Sequence, residues 1–174
     1  MKTNVKTLTL SAMFLAVALV LPFITGQIPE IGAMLCPMHI PILLCGFICG
    51  WPWGLAVGFV LPLTRSVLFG MPPMIPTALC MAFELAAYGL VSGVLHRRLK
   101  PTRGNIYLAL LAAMVTGRVV WGLVMFLCMG LTGGSFTFAA FVAGAVTGAI
   151  PGIILQLVLI PLLVMLLHRK GITE

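Results

Sequence analysis

The sequence predicts an all-α membrane protein, with six transmembrane helices in one bundle and both termini on the cytoplasmic side. Three observations lead there. The chain of 174 residues is 61% hydrophobic and 7% charged, whereas soluble domains carry about 25% charged residues. Apolar runs of about 20 residues, enough to cross the hydrocarbon core, follow one another with short connections, so residues 1–174 form a single membrane domain. The cations sit at the ends of those runs rather than in a stripe interleaved with aromatics, so the net charge of +7 reads as topology and not as a nucleic-acid surface.

The first span runs from about Leu8 to Phe23. Lys2 and Lys6 ahead of it resemble the start of a signal peptide, but no small-residue cleavage pattern follows and further spans do, so retention is expected. Polar and turn-forming residues from Ile24 to Pro37, with Gln27 and Glu30 among them and His39 close behind, break the pattern. Span two, about Ile40 to Gly50, is short for a crossing and is expected to begin earlier or to be completed by the Gly50-Trp51-Pro52-Trp53 corner. Trp51 and Trp53 suit interface anchors. Span three continues to Phe69, and the Pro-rich connection Gly70 to Pro76 leads into span four, Thr77 to Leu95.

A basic loop from His96 to Arg103 precedes span five, Ile106 to Met129; a Gly/Ser/Thr-rich loop, Gly130 to Phe138, precedes span six, Ala139 to Leu167. The excess length of span six and its Pro151 predict a broken or re-entrant start. With six spans, Lys2, Lys6, Arg97, Arg98, Lys100, Arg103, Arg169 and Lys170 all fall on one side, and the positive-inside rule makes that side cytoplasmic. Five or seven spans would split them. Glycines at every fourth position, Gly46, Gly50, Gly54 and Gly58, then Gly144, Gly148 and Gly152, allow close helix approach. Ala12 and Ala16 with Ser11 give span one a smooth small-residue groove.

Three ionisable residues lie within the spans: Arg65, Arg118 and Glu84, in a chain with three acidic residues in all. A charge near the bilayer midplane costs about 2.5 to 3.5 kcal/mol on insertion scales, which makes each a functional-site candidate. Counted from the outer ends of their spans, Arg65 lies about 6 Å deep, Glu84 about 10 Å and Arg118 about 16 Å. Helical spacing gathers Cys80, Met81, Ala87 and Tyr88 around Glu84, and Met114 and Trp121 around Arg118. Gln156, Thr64, Ser66 and Thr116 could add hydrogen bonds, since ligand sites combine apolar walls with a few placed polar groups. The blander reading pairs Glu84 with one arginine as helix glue and lets the other snorkel to the interface; Arg65, being shallow, fits that role.

Phosphate-loop, HExxH and GxSxG signatures are absent, and His39, His96 and His168 are widely separated, so neither an enzyme nor a cofactor or metal site is expected. Cys36, Cys45, Cys49, Cys80 and Cys128 show no CxxC spacing and read as packing residues.

Gly32-Ala33-Met34-Leu35-Cys36-Pro37-Met38-His39-Ile40-Pro41 running into Gly46-Phe47-Ile48-Cys49-Gly50, and Met71-Pro72-Pro73-Met74-Ile75-Pro76-Thr77-Ala78 running into Met81-Ala82-Phe83-Glu84-Leu85-Ala86, resemble the substrate-binding S components of energy-coupling factor (ECF) vitamin transporters. The resemblance covers essentially the whole chain in length, span number and topology. It implies a six-helix vitamin-binding subunit in the bacterial plasma membrane that docks on a shared module of one membrane coupling protein and two ATPases. It further implies that Ala12 and Ala16 meet the coupling protein, and that Gly26 to His39 and Gly70 to Pro76 close an outward-facing pocket. The expected ligand site comprises Arg118, Glu84, Arg65, Trp121, Tyr88, Gln156 and His39. The surplus positive charge favours a carboxylated vitamin such as pantothenate, with riboflavin open because aromatic and Met walls suit a flavin. A stand-alone proton-coupled carrier or exporter using Glu84 is the alternative.

Overall fold

Backbone chemistry sets the helix ends. Gly50, Gly70 and Gly133 adopt positive φ (88°, 68° and 76°), a region that L side chains rarely enter, and each closes a helix. In the computed structural model, which describes residues 5–24, 34–100, 102–134, 136–145 and 147–169 (the last without the Arg169 side chain), α1 spans Val5–Ile24. Helix α2 spans His39–Cys49 and α3 spans Trp51–Phe69. A wide turn, Met74–Ala78, leads into α4, Leu79–Arg98. Helix α5 covers Arg103–Thr132, with the Thr102 side chain accepting from the Asn105 amide at its start, a standard N-cap.

The last expected span is interrupted, as Pro151 predicts. Helix α6, Phe138–Ala145, gives way to a single tight turn, Thr147–Ala149, before α7, Ile150–Arg169. Pro151 stands in the first turn of α7, where its missing N–H has no intrahelical acceptor to lose. Among the described residues, five helical stretches are long and apolar enough to cross a membrane, and α2 is a shorter apolar helix beside them. The expected segment Gly26 to Ala33, with Gln27 and Glu30, lies outside the described residues, as do Lys2, Pro101 and Lys170.

Glycine governs how α2, α3 and α4 pack. A Cβ on Gly54 would fall 2.7 Å from the Gly89 carbonyl oxygen, and one on Gly46 would strike Ser92 Oγ. Gly58 abuts the Leu85 backbone, and Gly93 the backbone of Trp51. The every-fourth-residue stripe therefore faces α4, which answers with its own Gly89 and Gly93, and the backbones touch where side chains would have kept them apart. The second stripe works differently. Gly144 faces the Trp121 ring and Gly152 the Met34–Leu35 backbone, while Gly148 meets Ala143 of its own segment.

Ring contacts show which helix ends lie together. His96 near the end of α4 packs edge-on against His168 near the end of α7 (5.2 Å between centroids) and against Phe47 of α2 (5.1 Å). The Arg97 guanidinium covers Gly50 at the α2–α3 corner. At the opposite end, Phe23 of α1 meets Phe69 of α3 edge-on at 5.0 Å. The described basic clusters, Arg97, Arg98, Lys100 and Arg103, thus share one end of the bundle with the start of α1 and the finish of α7.

Candidate ligand site

Helix α2 is half a crossing long. Its 11 residues rise about 17 Å from the basic end, so its first residue, His39, stops inside the bundle rather than at a surface. Counted from the same end along their own helices, Glu84, Arg118 and Gln156 stand at about 18 to 23 Å. The short helix therefore delivers a histidine to the level of the intramembrane charges on α4 and α5.

These residues meet. Arg118 Nη1 lies 2.9 Å from Glu84 Oε1, and His39 Nε2 lies 3.4 Å from the same oxygen. Neither approach has the alignment of a hydrogen bond, because Glu84 Oε1 and His39 Nε2 are both buried without a hydrogen-bond partner among the described residues. Arg118 Nη2 donates to Cys36 Sγ at 3.5 Å. Cys36 itself takes a left-handed backbone (φ 47°), uncommon for a residue other than glycine, and this turn sets the thiol against the guanidinium. Tyr88, one helical turn beyond Glu84, stands edge-on to His39 at 5.2 Å. Gly117, beside Arg118 in sequence, makes room for it, since a Cβ there would sit 2.9 Å from the Tyr88 ring.

Burial isolates the cluster from lipid and solvent. Glu84 and Tyr88 are 1% exposed and His39 3%, while the Arg118 side chain retains 16%. Among the described residues, His39 Nδ1, His39 Nε2, Glu84 Oε1 and Arg118 Nε are buried without a hydrogen-bond partner, as is Gln156 Oε1 on α7. Glu84 Oε1 and His39 Nε2 are compensated in part by the ion-pair contacts; an atom with no such contact costs about 1 to 3 kcal/mol, an arrangement stability alone would not favour. Gln156, on α7, lies one turn below Gly152, which touches the Met34 and Leu35 backbone, and so shares the helix face turned towards the segment that carries Cys36 and His39.

The other expected residues lie apart. Arg65 stands at about the same depth but on the far side of α3, where Nη1 donates to the Leu19 carbonyl at 2.8 Å. Its guanidinium carbon is 5.4 Å from the ring centroids of both Phe23 and Phe69. On sequence grounds a shallow Arg65 snorkels to the interface; here it instead bridges α3 to α1 through a carbonyl and two aromatic faces. Trp121, one turn from Arg118, joins an aromatic group with Phe136 and Phe141 and covers Gly144. Ala12 and Ala16 lie on the exposed face of α1. Cys36, assigned to plain packing on sequence grounds, instead touches the site; its place two residues before a Met38-His39 helix start is the signal that could have marked it.

No curated protein and no solved structure matches the chain. The family model described as "ECF transporter, substrate-specific component" matches residues 6–164, nearly the whole chain and every helix that builds the polar cluster. Such components are transporter subunits and not enzymes. This chain belongs to the family of substrate-specific components of ECF transporters.

Proposed function

We propose that this protein is the vitamin-capturing subunit of an ECF-type importer in a bacterial plasma membrane, with its basic end cytoplasmic, and that the His39–Glu84–Arg118–Tyr88 cluster holds the ligand. Buried polar atoms at one ion pair that find no hydrogen-bond partner among the described residues carry this reading. Natural structures pair nearly all buried polar groups, and exceptions concentrate where a ligand completes them.

The same geometry bears on ligand chemistry. Glu84 already faces Arg118 at 2.9 Å, and the surplus cation, Arg65, serves a different part of the bundle. A carboxylate reaching Arg118 would also approach Glu84, and like charges about 4 Å apart repel by about 4 kcal/mol at an effective dielectric constant near 20. A neutral edge that carries a donor and an acceptor side by side avoids that cost, offering the donor to Glu84 Oε1 and the acceptor to Arg118 Nε–H or His39. The imide edge of a flavin has this pattern, so riboflavin is favoured over pantothenate.

Delivery is assigned to the exposed α1 face. Ala12 and Ala16 leave it smooth, and close approach of a partner helix needs small residues; the partner is a membrane coupling protein with two ATPases. The test is mass-spectrometric identification of the molecule that co-purifies, followed by titration of the isolated protein with riboflavin and pantothenate. Tight pantothenate binding without riboflavin binding would overturn the ligand assignment. Uptake by vesicles holding this chain alone would overturn the subunit assignment. In Ala12→Leu, binding should persist while uptake by the full complex falls at least tenfold; equal loss of both contradicts the docking role.

A further inference from the structure

Three sulfur-bearing residues share the interface of α4 and α5, where Cys80 stands one turn nearer the non-basic end than Glu84. Cys80 Sγ, fully buried, lies 3.9 Å from Met125 Sδ. Cys128 stands on the same face of α5 as Met125 by its i+3 spacing, the face that Cys80 meets through its contact with Met125. We propose that Cys80, Met125 and Cys128 form a binding site for a soft monovalent metal ion, with Cu(I) as the chemical type.

Geometry and donor type lead to that choice. A metal–thiolate bond of about 2.3 Å puts two sulfurs of a planar three-coordinate set about 4.0 Å apart, and the Cys80–Met125 separation matches it without rearrangement. Thiolate and thioether donors select Cu(I) over harder ions. Among the described residues no group of three or more His, Cys, Asp or Glu side chains is placed to hold a metal, so a hard divalent ion finds no comparable set. Cu(I) would displace both thiol protons, since a coordinating thiol is deprotonated. Two protons leave, no electrons move, and the dithiolate–copper unit carries one negative charge. Glu84 stands one turn from Cys80 on α4, and its partner Arg118 two turns from Met125 on α5. The site requires no vitamin and stands independently of the transport reading.

The full-length protein in detergent, reduced and anaerobic, would be titrated with Cu(I) buffered by bathocuproine disulfonate. The expected result is one Cu(I) per chain, with X-ray absorption showing three sulfur neighbours at about 2.3 Å. Cys80→Ser and Cys128→Ser should each weaken binding at least a hundredfold and Met125→Leu about tenfold, while Cys45→Ser on α2 leaves it unchanged. Cys128 is half-exposed, so its variant keeps the test valid should Cys80→Ser fail to fold. Absence of stoichiometric binding, binding that survives Cys128→Ser, binding insensitive to Met125→Leu, or binding lost in Cys45→Ser would overturn the site.

Discussion

Arg65 and Arg118 stand at about the same depth in the bundle and solve the same problem in different ways. Each carries a permanent charge into an apolar region, where it costs several kcal/mol unless partnered. Arg65 is held by a backbone carbonyl and two aromatic faces, a set that leaves its charge uncancelled and ties α1 to α3. Arg118 is held by a carboxylate and a thiol, within a group whose polar atoms remain incompletely partnered. The first environment ties two helices together through a carbonyl and two rings. The second has bonding capacity in reserve, and reserve capacity is what a ligand needs.

The difference can be broken by substitution, beginning with the largest effect. Glu84→Ala leaves Arg118 buried without its counter-charge and should lower unfolding free energy by about 3 to 5 kcal/mol, read from thermal or denaturant unfolding in detergent. The double variant Glu84→Ala with Arg118→Met should recover most of that loss, because an apolar pair of similar volume is often neutral or stabilising. If the double variant is as unstable as the single one, the pair is not the source of the cost.

Arg65→Ala removes one charged hydrogen bond and two ring contacts. It should cost about 1.5 to 3 kcal/mol, with ligand affinity changed less than threefold. Phe69→Leu, the smallest change, should cost about 0.5 to 1 kcal/mol through the lost cation–π contact. A large affinity loss in either variant would erase the distinction between the two arginines.

Much of this architecture was legible in the sequence because it depends on local chemistry. Glycines at positive φ end helices, Pro151 marks the broken last span, and the stripe through Gly46, Gly54 and Gly58 declared a close-packed face before its partner, Gly89 and Gly93 of α4, was known. What was not legible depends on helix rotation and offset. Depths counted from the outer ends made Arg65 shallow and Arg118 deep, yet counted from the shared basic end they are level, because α5 is 30 residues long and extends well past a single crossing.

Which arginine meets Glu84 is likewise a matter of which face α5 turns to α4. Periodicity alone cannot fix that, since both arginines lie on mostly apolar helices. The half-length of α2 was visible in span two, but its consequence, a histidine delivered to mid-depth, required the position of its neighbours. A carboxylated ligand, favoured on electrostatic grounds, meets the same limit: a surplus charge can be counted in a sequence, but its address cannot.

The central claim, that the group around Arg118 receives ligand and the group around Arg65 does not, is tested most directly by the dissociation constant of the co-purifying molecule for the wild type, Arg118→Ala and Arg65→Ala. The account predicts at least a hundredfold weakening in Arg118→Ala and less than threefold in Arg65→Ala. Unchanged affinity in Arg118→Ala, or a larger loss in Arg65→Ala, would contradict it.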